Sequence, residues 1–212
     1  MTDAALLTLT QWLSPAFPVG GYAYAHGLEW AISAGDVRSA ETLAAWLGDV
    51  VAHGAGRADA ILLCAALSPK ADLAALSDLG RALAPARERL EETLAQGRAF
   101  LAATNALTGA ALSDMPYPVA VGAAARGLGL APERVAGLYL HAFASNLVQA
   151  AVRFVPLGQT EGQQVLAGLH PVILRVAAQA AQAGLDDIGG TALRADMAAM
   201  RHETMDVRIF RT

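Results

Sequence analysis

Nucleophilic catalysis needs a serine, threonine or cysteine held beside a base. The five histidines, at 26, 53, 141, 170 and 202, are scattered singly, with no nucleophile motif around any hydroxyl or thiol. No catalytic residue is nominated. A phosphate-cradling loop needs the spacing G-x-x-x-x-G-K-[S/T], yet the only lysine, Lys70, follows Ser68 and Pro69. Metal chemistry has two fragments: His26 and Glu29 stand three apart, as on one helical face, and His202 directly precedes Glu203. A closed site needs three or four ligands, so local hydrogen bonding or a partner-facing role competes, and no metal ligand is assigned. Cys64 lies in the apolar run AILLCAAL and reads as a small buried hydrophobe; a lone cysteine permits no intrachain disulfide, which fits a reducing cytoplasm.

Three segments hold polar groups in patterns that ask for partners. His141, Ser145, Gln149 and Arg153 recur every four residues on an otherwise apolar helix, with Asn146 beside them. This seam is either the wetter face of a surface helix or a polar lining for an internal path or interface. SPAFPVGGYAYAHGLE, residues 14–29, sets two prolines and the Gly20–Gly21 pair before an aromatic helix start. Pro18, Gly20, Gly21, Tyr22, His26 and Glu29 then belong to a stiff partner-binding entry, or to a structural junction whose glycines supply turn dihedrals. The ending RHETMDVRIFRT places Met205, Val207, Ile209 and Phe210 among Arg201, Arg208 and Arg211. Apolar anchors with guanidinium forks suit docking on a partner with ordering on binding; a tail folded back on its own domain is the other reading.

The elements that must position these groups are helices. Leu43, Trp46, Leu47, Val50 and Val51 follow the i, i+3, i+4, i+7, i+8 rule, with Ser39 as cap. The same reasoning places helices near 4–13, 22–34, 58–67, 70–83, 86–107, 118–127, 133–154, 161–183 and 191–203, and no segment alternates like a strand. Pro85 and Pro132 fit first helical turns, and Gly35 and Gly184 fit helix ends. Thr160 and Gln163 have capping-box spacing, and Pro171 is expected to kink or split its helix. Residues 108–118 read as a loop, not a domain linker, so the expected architecture is a single all-α bundle of about ten helices.

Composition bounds the function. Hydrophobic residues make up 55% of the 212 and charged residues 16%, with a mean hydropathy of +0.38. Such a surplus is expected to be covered partly by a second copy or another protein. The net charge is −4, and with no basic face there is no footprint for nucleic acid. The charge-free stretches 4–28 and 135–152 are interrupted by prolines and glycines or by polar side chains, so both read as protein interior and no membrane is expected.

With SPAFPVGGYAYAHGLE, SNLVQAAVRFVPLGQTEGQQVL and RHETMDVRIFRT in order, the chain resembles the urease accessory protein UreF family. The family's blocks read SPxxPxGGxxYSxGLE, NLVxAAxRxxPLGQTxGQ and RHETxxxRxFxS. The resemblance implies a cytoplasmic, dimeric, non-enzymatic all-α scaffold. Its partners would be UreD (also called UreH), the GTPase UreG and apo-urease, with GTP hydrolysis coupled to nickel insertion. Nickel would be handled by the complex, with no tightly bound cofactor in this chain. Arg201, His202, Glu203, Arg208, Phe210 and Arg211 match the family's partner-binding ending. The chain departs from it at Asp206 and Val207, where tyrosine and then serine or another small residue are common, and at Thr212, often serine; those positions inherit no role. A helical enzyme using the His141, Ser145, Gln149 and Arg153 seam remains the alternative.

Overall fold

The computed structural model describes residues 3–212. Among them the chain forms α1 (Asp3–Trp12), α2 (Leu28–Ser33), α3 (Ala40–His53), α4 (Ala55–Leu67), α5 (Leu73–Ala82), α6 (Arg87–Thr108), α7 (Tyr117–Ala125), α8 (Pro132–Val152), α9 (Gln159–Ala180) and α10 (Leu193–His202), with short 3-10 turns between and no strand. The all-α reading holds. One apolar core runs from Ala5 to Phe210.

Local chemistry explains most helix boundaries. At α3 the Ser39 hydroxyl accepts the Thr42 N–H at 3.3 Å while the Thr42 hydroxyl accepts the Ser39 N–H at 3.0 Å, a reciprocal cap. Pro132 opens α8, where its missing N–H costs nothing. Pro85 instead lies before the N-cap Ala86 of α6. Gly35 ends α2 in a left-handed conformation, with Asp36 N–H bonded to Ala31 O and Gly35 N–H to Ile32 O. Gly184 does not cap α9, which ends at Ala180.

Two further expectations need correction. The stretch 22–34 is not one helix: a 3-10 turn at Gly21–Ala23 and α2 are separated by residues 24–27, of which His26 and Gly27 stand at positive φ. Thr160 is not the cap of α9; Gly158 occupies that position, and the Glu161 carboxylate accepts its N–H at 2.9 Å. Pro171 does not split α9. The carbonyl it leaves unmet belongs to Ala167 on the exposed face, where water can satisfy it.

α8 and α9 pack antiparallel, α3 lies on α9 and α4, α4 on α7 and α8, and α6 on α7. Small residues set these spacings. A Cβ on Gly122 of α7 would stand 2.4 Å from the Leu63 carbonyl oxygen of α4, so only glycine fits. The loop after α6 is pinned, with Asn105 Nδ2 donating to Leu112 O at 2.9 Å and Met115 buried. By length and composition, Ala40–Leu67 and Pro132–Val152 could cross a membrane, but the first is broken at Gly54 between α3 and α4 and the second is half buried against neighbouring helices.

Candidate functional site

α6 begins with a charged turn that faces inward. Extending the apolar stripe Phe100–Leu101 back along the helix meets Gln96 and Gly97, then Glu92, then Glu88 and Arg89, all buried. These polar residues hold the two chain ends that the sequence singled out.

His26 adopts φ 54°, and Gly27 follows at φ 71°. A left-handed conformation at a non-glycine residue is uncommon and costs about 1–2 kcal/mol; here it turns the imidazole inward onto α6. Its Nε2 lies 2.8 Å from Glu92 Oε1 and 2.7 Å from Arg89 Nη1, and its ring stands edge-on to Phe143. Burial first, then Arg89, holds the imidazole below its ordinary value, against the pull of Glu92. Glu92 also accepts from Arg89, from Gln96 Nε2 at 3.0 Å and from the Thr212 hydroxyl at 2.9 Å. Burial alone would push this carboxyl up; the charges of Arg89 and His26 and their hydrogen bonds outweigh it and bring it down to about 2.

A second cluster adjoins the first. His202, fully buried, places Nδ1 2.7 Å from Glu88 Oε2 and Nε2 3.2 Å from Glu29 Oε2. Glu88 also takes Arg208, and Glu29 accepts the backbone N–H groups of Ile209 and Phe210, each at 2.9 Å. The tail is thereby stitched to the N-terminal block: Arg211 N–H donates to Ala23 O at 2.8 Å and Ala25 N–H to Thr212 O at 3.0 Å. Phe210, 6% exposed, packs its ring against Phe154. A Cβ on Gly27 would fall 2.4 Å from the Ala199 backbone nitrogen, so α10 lies directly on this junction.

Beside the clusters opens a cleft of about 100 Å³, lined in part by Asp59, Arg89, Glu92, Tyr139, Phe143 and Asn146. Asp59 accepts from Tyr139 Oη at 2.8 Å. Burial pushes its carboxyl up to about 6, against the opposing effects of Arg89 and the tyrosine hydrogen bond.

The expected site residues sort as follows. His26 and Glu29 do not share a helical face; each serves a different cluster. His202 and Phe210 are internal anchors, not free ones, so the tail is folded back and not loose. Arg201 lies over the Trp30 ring at 4.8 Å, and Glu203 accepts the Glu88 N–H at 3.3 Å. Arg201, Arg208 and Arg211 are exposed, and so are Pro18 and Tyr22. Gly20 supplies a left-handed turn with open space around it, and Gly21 offers its carbonyl to Asn146 at 2.8 Å. The seam divides: Asn146 turns to the N-terminal block and the cleft, while His141, Ser145 and Gln149 are half-buried and Arg153 is exposed, none of them lining that cleft. Sequence reasoning missed Glu88, Arg89, Glu92, Gln96, Asp59 and Tyr139. Among the described residues, no group of three or more histidine, cysteine, aspartate or glutamate side chains is arranged to hold a metal ion.

The chain is similar to known proteins over nearly its whole length. The family model UreF matches residues 37–170, more than half of the chain. A urease accessory protein UreF of Cereibacter sphaeroides is 64% identical over 210 residues, covering 99% of this chain and all of the relative. Those of Dinoroseobacter shibae and Paracoccus denitrificans are 55% identical over 209 residues and 53% over 210, covering 99% of this chain and 99% and 97% of the relatives.

Proposed function

Because the chain belongs to the UreF family of urease accessory proteins, we propose that it works as a cytoplasmic, non-enzymatic scaffold. It binds UreD/UreH, recruits the GTPase UreG, and couples GTP hydrolysis to nickel insertion into apo-urease. Nickel is cargo of the assembly, not a cofactor of this chain.

The observation that carries this reading is the welded junction of N-terminal block and tail. The buried clusters hold one rigid surface from which Tyr22, Val207 and Ile209 project at 69%, 77% and 68% exposure, with Leu193, Met197 and Met200 exposed along α10. Apolar side chains held on a stiff base lose little entropy on docking, which favours a partner site. This is the surface proposed for UreD. Exposed Leu7, Leu107, Leu174 and Leu185 leave further apolar area for a second copy or for UreG.

A small-molecule catalyst has one observation in its favour: the cleft holds Asp59 raised to about 6 and Glu92 lowered to about 2, a split pair of the kind acid–base chemistry uses. Glu92, however, already accepts from Arg89, Gln96 and Thr212 and has His26 Nε2 against its other face, so it is engaged inside the fold and not presented to a substrate. The test is copurification. With UreD coexpressed, the double variant Val207→Asp and Ile209→Asp should lose the complex while its melting temperature holds; full retention would sink the docking assignment.

A further inference from the structure

α8 and α9 run antiparallel, with Val148 and Val152 against Gly162 at one end and Gly137 against Ala177 at the other. That register sets His141 opposite His170. Their ring centroids are 5.5 Å apart and tilted by 43°. His141 is half-buried and His170 exposed. Neither ring makes a hydrogen bond with another described residue, in contrast to His26 and His202, whose nitrogens are engaged by carboxylates.

From this geometry we propose that His141 and His170 form an exchangeable two-imidazole site for a divalent transition ion of the nickel, copper and zinc class. Metal–nitrogen bonds of about 2.0–2.1 Å put the centroids of two imidazoles sharing an ion about 4.5 to 6.3 Å apart, from a right-angled to a linear arrangement. The observed spacing falls inside that window. Imidazole suits these ions better than it suits calcium or magnesium, which take oxygen ligands. With two protein ligands, water completes the coordination and the ion stays exchangeable. The site stands independently of the accessory role proposed above.

The test uses the full chain and nickel sulfate. Calorimetric titration should give one ion per chain, and paramagnetic nickel should broaden backbone amide signals most strongly around residues 141 and 170. His141→Gln and His170→Gln should each weaken binding at least about tenfold, since loss even of an outer-shell partner costs that much. Melting temperatures should change little, because His170 is exposed, His141 is only half-buried, and neither ring makes a hydrogen bond with another described residue. Broadening centred on His53 or His202, or unchanged affinity in both variants, would overturn the proposal.

Discussion

Glu92 and Asp59 sit in the same cleft with opposite consequences for stability. The Glu92 carboxyl is held near 2 against an ordinary 4.5, so its contribution is fully present above about pH 4.5 and is lost as pH falls toward 2. On the linkage scale that is about 3 kcal/mol. Asp59 is raised from 3.8 to about 6, so the folded chain keeps a proton that the unfolded chain releases. Its effect is therefore to lower stability as pH rises through that window, by up to about 3 kcal/mol at neutral pH. Asp59→Asn keeps a partner for Tyr139 and should raise the urea midpoint at pH 7.5 while leaving it unchanged at pH 3.5. An equal shift at both values would contradict the assignment. At this scale the sequence was half legible. His26, Glu29 and His202 stood out as histidine and carboxylate fragments, but the carboxylates of Glu92 and Glu88 that meet the two histidines lay in the run RERLEE, which carried no motif. The readable signal was periodic: Glu88, Glu92, Gln96, Phe100 and Thr104 recur every four residues, so polar groups occupy core positions of α6.

Among the helices, caps and close approaches give the clearest expectations. Thr160 does not cap α9, so Thr160→Ala should leave the melting temperature nearly unchanged, whereas Glu161→Ala should cost about 1 kcal/mol. Gly122→Ala should cost roughly 1–3 kcal/mol or more by forcing α7 off the Leu63 carbonyl, measured by denaturant unfolding. The reciprocal Ser39–Thr42 cap, the Pro132 start and the amphipathic stripe of α3 were legible because each depends on residues within one turn. The break at His26 was not, because its left-handed backbone is held by contacts with α6 and α10, more than 60 residues away in sequence. The fate of Pro171 also depended on tertiary exposure, which local pattern does not record.

For the whole molecule, the tail is part of the fold before it is anything else. Phe210→Ala should cost about 3–5 kcal/mol, as expected for a large buried aromatic, and should lower the melting temperature together with partner binding. Removing residues 201–212 would also strip His202 from Glu29 and Glu88 and leave buried carboxylates unpaired, so loss of a complex in that deletion cannot separate docking from unfolding. The exposed side chains separate them. The most direct measurement is copurification of UreD with the Val207→Asp and Ile209→Asp double variant, alongside its thermal melt and that of the unaltered chain. Loss of UreD with an unchanged melting temperature is the expected result; a complex retained at full yield by a folded double variant would contradict the scaffold surface proposed for the tail.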